Sequence, residues 1–372
     1  MSATYQIFLN DSLGNRLAAP KDWISIDYAR VENGVGALTL TLPYYYDRNT
    51  FKKDGILEVW RSLDGGLPYL DVETLWLIRG WRRTVRKGVR LWTITAYDLN
   101  HLLKRRVVDY LADNAFSAQT DQADDMCKVI VRQNFGALAT DATRSIATYL
   151  AVQADVAAGP SIRKAFPYRN VLTILQEIAQ ASFQAGTYLV WDIVPTVLPN
   201  SGSTIQFEFR TYTGQRGVDH TFPSGNPPVL LGPAFDDLDE VTLDEDANDE
   251  VTRSIVAGQA LTTPVRANDA ARQGESPFNL CEAYQNSFND SDTAVGWPDE
   301  ADALIKAGRP KKTLTGKIVQ TSGFVYGFHW KWGDLVTVQI ENDSFTAHTD
   351  KVHVNVKRDT DETVEAFIRS AV

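Results

Sequence analysis

Carboxylates are the most abundant reactive side chains in this 372-residue chain: Asp and Glu number 47 against 37 Lys and Arg, giving a formal charge of −10. Two carboxylates across a cleft could hydrolyse a glycosidic bond, one as acid and the other as nucleophile or base. No spacing in the sequence singles out such a pair. The densest acidic run extends from Asp236 to Glu250. An EF-hand calcium loop needs Gly at its sixth position and Glu at its twelfth. Counted from Asp244, those positions hold Asp249 and Ile255, so the run reads as a solvated or partner-facing acidic edge. The opposite charge gathers between Arg79 and Arg90, where Arg79, Arg82, Arg83, Arg86, Lys87 and Arg90 occur without an acidic residue, and Lys104-Arg105-Arg106 adds three more. Three readings of this basic segment are open. It is the charged outer face of strands, or a nucleic-acid surface with Trp81 and Trp92 interleaved as stacking platforms. The third is a surface that meets the acidic run of a neighbouring copy, where charge sets register more than affinity.

The other routes to catalysis are closed by spacing. Leu314-Thr315-Gly316-Lys317-Ile318 has the Gly-Lys of a phosphate-binding loop without its preceding Gly or its following Ser/Thr. No Gly-x-Ser-x-Gly nucleophile elbow occurs. None of the five histidines, His101, His220, His329, His348 and His353, forms a His-Glu-x-x-His pair. His353 falls on an alternating strand and is expected to face solvent. The two cysteines, Cys127 and Cys281, stand far apart with no metal spacing around either and read as buried apolar-like residues. The expectation is therefore no catalytic residue, no cofactor and no metal, and the negative charge argues against a general nucleic-acid binder.

The elements that must position these groups are mostly strands. Ala37-Leu38-Thr39-Leu40-Thr41-Leu42-Pro43 alternates leucine with threonine until Pro43 stops it. Strands are likewise predicted at 54–60, 75–80 and 91–96, with hairpin turns at Asp64-Gly65-Gly66 and Arg86-Lys87-Gly88. Trp60, Trp76, Trp81 and Trp92 lie within this set and read as barrel core. Helical spacing follows over 122–136, ended by Gly136, and over 170–180, with Asn170 as N-cap. Two strands at 187–194 and 204–210 complete an α+β middle unit. Phe222-Pro223-Ser224-Gly225-Asn226-Pro227-Pro228 marks a boundary. Closing strands begin at Lys312, after a polar stretch that ends in a helix over 299–308. The chain thus divides into a first β-barrel-like unit (1–108), an α+β unit (109–221), and a second β-barrel-like unit (222–258 and 311–372) interrupted by a polar, partly helical insertion (259–310). Apolar runs are too short to span a membrane. The N-terminus lacks a basic start and an apolar stretch, so the chain is expected to be made and folded in a cytoplasm.

Several passages, taken in order, resemble the tail hub (baseplate hub) proteins of long-tailed bacteriophages. They are Gly34–Leu42 followed by Leu57-Glu58-Val59-Trp60-Arg61, Ile78-Arg79-Gly80-Trp81 leading to Ala96–Arg106, and the closing Trp332-Gly333-Asp334-Leu335-Val336-Thr337-Val338. The resemblance implies a β-rich α+β chain with two related barrel-like domains flanking an α+β domain. Three copies would then form a pseudo-sixfold ring in the virion, assembled in the host bacterial cytoplasm. Its implied partners are a distal tail or tail tube protein, a tape measure protein, tail tip or fibre proteins, and phage DNA passing through the lumen without sequence-specific binding. The chain stops at Val372 after its final strand, so no fused enzyme is expected. A ring that alternates first and last barrels would bring Arg82, Arg83 and Arg86 of one subunit near Asp237, Asp239 and Glu240 of the next, with an acidic or neutral lumen. The alternative is a carbohydrate-binding or carbohydrate-hydrolysing β-rich tail protein, with Tyr44-Tyr45-Tyr46 or Phe328, Trp330 and Trp332 as platform. Packing is the expected role of Trp330 and Trp332.

Overall fold

The structure is a computed structural model that describes residues 3–109, 116–139, 141–222, 224–257, 264–286, 297–321, 324–358 and 360–370. The first third is a run of strands: β1 (Ala3–Asn10), β2 (Arg16–Ala18), β3 (Ser25–Val31), β4 (Ala37–Pro43), β5 (Ile56–Leu63), β6 (Tyr69–Leu70), β7 (Trp76–Arg86) and β8 (Val89–Asp98). Their period-2 patterns bury what they predict. Leu38, Leu40 and Leu42 of β4 and Trp92, Ile94 and Ala96 of β8 all face one core. A short helix, α1 (His101–Lys104), leads into the middle unit.

The middle unit holds β9 (Phe116–Gln122), α2 (Ala123–Phe135), β10 (Leu150–Val152), β11 (Ser161–Pro167), α3 (Val171–Gln184), β12 (Leu189–Val197) and β13 (Gln206–Thr213). Asn170 caps α3 by accepting from the Leu172 N–H, and the Gly136 N–H closes α2 on the Arg132 carbonyl. The two helices cover the β10-β13-β12 sheet, burying Cys127, Ile130, Ile174, Leu175, Ile178, Trp191, Ile193 and Phe209 in a second core. Cys127 is buried as expected and its thiol is pushed well up by burial; Cys281 is only half-buried.

The last third carries β14 (Leu230–Leu231), β15 (Leu238–Asp246), β16 (Arg253–Ala257), β17 (Val265–Asn268), α4 (Ala270–Gln273), β18 (Glu282–Asn286), α5 (Trp297–Ala307), β19 (Lys311–Val319), β20 (Leu335–Ile340), β21 (Asp343–Lys357) and β22 (Thr363–Ser370). β16 does not join the other closing strands. It is the middle strand of a small β17-β16-β18 sheet against α5.

The β-rich ends share one sheet and one core. Its strand order is β15-β19-β22-β21-β3-β4-β8-β7-β5-β1-β2, with β14, β20 and β6 attached beside that path. The join is the antiparallel pairing of β21 with β3, from Lys351 opposite Val31 to Lys357 opposite Ser25. Val352, Val354 and Val356 consequently pack with Ile26, Tyr28 and Leu40 in a single cluster. The chain is β-rich as expected, and among the described residues the strand path is open, with no closed barrel in it. The edge of β3 that a closed first barrel would use is occupied by β21. No helix among the described residues is long and apolar enough to cross a membrane.

Candidate functional site

The Gly327–Asp334 loop buries Trp330 against Phe324 and Tyr326 and sets Trp332 between Arg30 and Arg216. Trp330 and Trp332 are buried while Phe328 is exposed, so the two tryptophans pack, as expected. The guanidiniums of Arg30 and Arg216 lie 4.5 and 4.3 Å from the Trp332 ring centroid, an arrangement favourable to a cation over a π face. Arg30 projects inward from β3 at the position that alternation reserves for an apolar residue, and it is fully buried. It donates to Asp98 on β8 and, at 2.8 Å to each oxygen, to Asp192 on β12. Arg216 donates to the same Asp192 at 3.0 Å and reaches Glu73 at 3.1 Å. Burial raises the Asp98 carboxyl to about 6 against the pull of Arg30. Asp192 stays below the ordinary carboxylate range because two guanidiniums outweigh its desolvation. The Gly333-Asp334 turn is held by the segment that follows β13: Asp334 accepts from the Val218 N–H at 2.7 Å, and the Gly217 N–H donates to the Gly333 carbonyl at 2.7 Å.

A second buried network ties β1 and β5 to the end of the chain. Arg61, fully buried, donates to Glu362 at 3.0 Å and to the Tyr326 carbonyl at 3.0 Å. Tyr5 also donates to Glu362, and Tyr28 and Tyr326 both donate to Asp71. Three tyrosine hydroxyls are thereby held against carboxylates, and burial together with Asp71 pushes each of them far above the usual phenol range. Gly327 allows the loop to enter at φ +80°, and an added Cβ would collide with the Tyr69 hydroxyl and lie 2.5 Å from Arg61 Nη1. Gly327→Ala is accordingly expected to cost about 1–3 kcal/mol from the left-handed backbone alone, with more from displacing Arg61. Equilibrium urea unfolding measures it; a loss below the lower bound would show that the loop relaxes freely.

The third cluster lies where β3 ends. Glu32 is buried and accepts from the Tyr188 hydroxyl at 2.8 Å, and Asn33 beside it donates to the Leu189 carbonyl at 2.8 Å. The Tyr188 ring stacks on buried His348 with centroids 3.9 Å apart. Burial lifts Glu32 to about 8 and Asp350 to about 6, and holds His348 down at about 4.

These clusters hold acids, bases and phenols, and each links separate parts of the chain. The described surface has a shallow cleft of about 220 Å³ along Thr221, Phe222, Ser224, Gly225, Asn226 and Pro228, with no ionisable side chain in its wall. Among the described residues no group of three His, Cys, Asp or Glu is gathered to hold a metal ion. His353 lies on the outer face of β21, opposite to buried Val352 and Val354, partly exposed and 3.1 Å from Asp27 and 3.8 Å from Glu365.

Five of the six residues singled out by charge lie on strands of the large sheet, and Asp237 directly precedes β15. Arg82 and Arg83 are exposed on β7, while the Arg86 side chain lies outside the described residues. Asp239 and Glu240 are exposed on β15. Asp237 is buried, with its carboxylate accepting from the Gly232 N–H at 2.9 Å. Among the described residues no ion pair within one chain joins Arg82 or Arg83 to these carboxylates. The aromatics of the basic segment are partly used internally: Arg48 lies 4.4 Å over Trp81, and Trp92 is buried against Phe51. Tyr44 and Tyr45 remain exposed. The buried ion pairs were the residues that sequence reasoning missed. Their signal is a charge inside an otherwise apolar set: Arg30 in phase with Ile26 and Tyr28, and Asp192 within Leu189-Val190-Trp191-Asp192-Ile193-Val194.

The chain matches no curated protein, but its fold has solved counterparts. A tail protein from Neisseria meningitidis MC58 is 14% identical with a TM-score of 0.53, over 98% of this chain and 96% of that one. The 43 kDa tail protein of prophage MuSo2 from Shewanella oneidensis is 11% identical with a TM-score of 0.53, over 98% of each. A chain of the Francisella PdpA-VgrG complex is 11% identical with a TM-score of 0.51, covering 100% of this chain and 58% of that one. The fold is thus that of phage tail proteins from end to end. With residues 5–368 matching the family described as Siphovirus ReqiPepy6 Gp37-like protein, the chain belongs to that family.

Proposed function

We propose that this chain is a structural subunit of a phage tail: a hub in which three copies form a ring at the distal end. The ring adapts a sixfold tube or distal tail protein to a threefold tip and opens for DNA passage. The observation that carries this reading is where the polar chemistry goes. Buried ion pairs cross-link β3, β8, β12, β5 and the loop before β22, which suits a part that transmits force. The family and a fold shared over nearly the whole length with tail proteins support it. In this reading the first and last β-rich segments act as two related units, giving three chains six similar edges around a lumen. The tape measure protein ends there, and tip or fibre proteins attach beyond. The lumen is acidic or neutral. Arg82, Arg83 and Arg86 of one copy face Asp239 and Glu240 of the next, with Asp237 holding the turn that presents them. They approach within about 8 Å, one Debye length at physiological salt.

Native mass measurement tests the reading. A complex of three times the chain mass is expected. A monomer that binds or cleaves cell-wall polysaccharide through Tyr44 and Tyr45 would replace the hub with the carbohydrate reading.

A further inference from the structure

We propose that the tip of the β7–β8 hairpin is a docking surface for an anionic lipid bilayer, seated at headgroup depth. The inference goes beyond the hub reading and does not need a ring. β7 leaves β5 after Leu77, while its pairing with β8 continues to Arg86 opposite Val89. On the other side β4 accompanies β8 only as far as Pro43 opposite Leu91. The segment from Val85 to Arg90 therefore projects past both neighbours. It is closed by a two-residue turn in which Lys87 and Gly88 take φ of +46° and +83°. Cross-strand pairing sorts its side chains. Trp81 lies opposite Ile94, Arg83 opposite Trp92 and Val85 opposite Arg90, so these share one face. Arg82, opposite Thr93, takes the other, and Val89 lies on that same side of β8. The tip thus carries one valine on each face, Val85 60% and Val89 56% exposed. Trp81, Tyr44 and Tyr45 are exposed behind them.

Charge makes the partner anionic. Among the described residues Arg48, Arg82, Arg83, Lys87 and Arg90 make no ion pair, and no carboxylate occurs between Glu73 and Asp98. Those of the adjoining loops are engaged locally, Asp22 with the Tyr46 hydroxyl and Asp47 with the Asn49 N–H at 2.9 Å. β19, β22, β21, β3, β4 and β8 separate acidic β15 from β7 along the strand path. The field at the tip is that of its own cations, screened beyond about 8 Å at physiological salt. The rings then decide which polyanion fits. Single-stranded nucleic acid needs open aromatic faces for its bases, and here guanidiniums stand over them: Arg48 is 4.4 Å from the Trp81 centroid, Arg83 5.7 Å from Trp92 and Arg90 5.6 Å from Tyr44. Nucleic acid also leaves Val85 and Val89 unused. A bilayer uses every part. The valines reach the acyl boundary, Trp81 and the tyrosines sit at headgroup level, and the Arg and Lys side chains meet lipid phosphates. Depth is limited by the outer edge of β7 from 81 to 86, which has no ladder partner among the described residues. Hydrocarbon would leave those backbone groups unsatisfied, whereas phosphates and interfacial water satisfy them.

Sedimentation of the full-length chain with vesicles tests this, using phosphatidylcholine alone and its equimolar mixture with phosphatidylglycerol. Binding is expected to the mixed vesicles only, and to weaken as salt is added. K87Q/R90Q removes two cations and should weaken it roughly thirtyfold. V85S/V89S leaves the charge unchanged and should weaken it at least about tenfold. All four positions lie at an exposed tip, so both variants are expected to keep the wild-type urea midpoint, which shows that they are folded. Equal affinity for the two kinds of vesicle, no affinity for either, or full binding by V85S/V89S overturns the proposal. Binding of a single-stranded oligonucleotide without binding of vesicles overturns it in favour of nucleic acid. Native mass is a separate measurement, so a failure here leaves the hub reading standing, and a monomeric chain that binds mixed vesicles overturns the hub alone.

Discussion

Arg30→Met is expected to lower the unfolding free energy by about 3–5 kcal/mol, because it leaves buried carboxylates without their cation. The cost falls unequally on its two partners. Asp192 keeps Arg216 at 3.0 Å, so its charge remains compensated. Asp98 keeps only the Gly36 N–H at 2.7 Å, and its second oxygen has no partner even in the native chain. Trp332 would at the same time lose one of the two guanidiniums over its ring. Three segments far apart in sequence meet at this one side chain, so its loss should loosen the seams between units rather than one element. Urea unfolding followed by tryptophan fluorescence gives the magnitude. Adding Asp98→Asn to Arg30→Met should recover part of the loss, since the amide oxygen still accepts from Gly36 without a charge. A single variant within about 1 kcal/mol of wild type would mean that water or relaxation compensates Asp98, and the junction would not be the seam described.

Local patterns were legible wherever one face of an element decides its burial. The leucines of β4, the valines at 352, 354 and 356, the Asn170 cap and the Gly136 stop all lie where periodicity and capping place them. What could not be read was which edges pair. The residues of β3 suit a barrel strand equally well whether its second neighbour is a nearby strand or β21, more than 300 residues away; alternation specifies a face and says nothing of the partner. The same holds for β16, whose Arg253-Ser254-Ile255-Val256-Ala257 pattern fits the large sheet but pairs with strands of the insertion. Alternation places His353 on the outer face as expected but does not reveal its neighbours there, Asp27 and Glu365 from adjoining strands. Buried charge was hidden for a different reason. Arg30 and Arg61 are tolerated inside only because Asp98, Asp192 and Glu362 arrive from other elements, and a single strand gives no sign of partners that distant. The exposed charges on β7 and β15 were visible at once, since a solvated charge needs no partner within its own chain.

Glu32→Gln is expected to make the stability of this chain less dependent on pH between about 4.5 and 8. The wild-type carboxyl is lifted to about 8 chiefly by burial, with Asp350 adding to the rise and the Tyr188 hydrogen bond, Arg216 and Arg369 opposing it. In the unfolded chain it titrates near 4.5. The folded state therefore holds a proton that the unfolded state gives up across this window. Its stabilising contribution is complete below pH 4.5 and is lost as pH rises through 8, by several kcal/mol and at most about 5. Asp350, raised to about 6, acts in the same direction, and His348, held at about 4 against stacked Tyr188, acts in the opposite one between its folded and unfolded values. Both remain in the variant, so the difference between the two proteins isolates Glu32. Glutamine has the shape of the protonated acid and keeps an oxygen for the Tyr188 hydroxyl. Wild type and variant should agree within about 1 kcal/mol at pH 5, and at pH 9 the variant should be the more stable by most of the difference above. Urea midpoints at the two pH values suffice. An equal gap at both would mean that Glu32 ionises normally inside the fold, and hence that water reaches the joint between β3, β21 and Tyr188. The predicted sign has a mechanical consequence: a joint that links the middle unit to both β-rich ends is tightest in mild acid and loosens above neutrality.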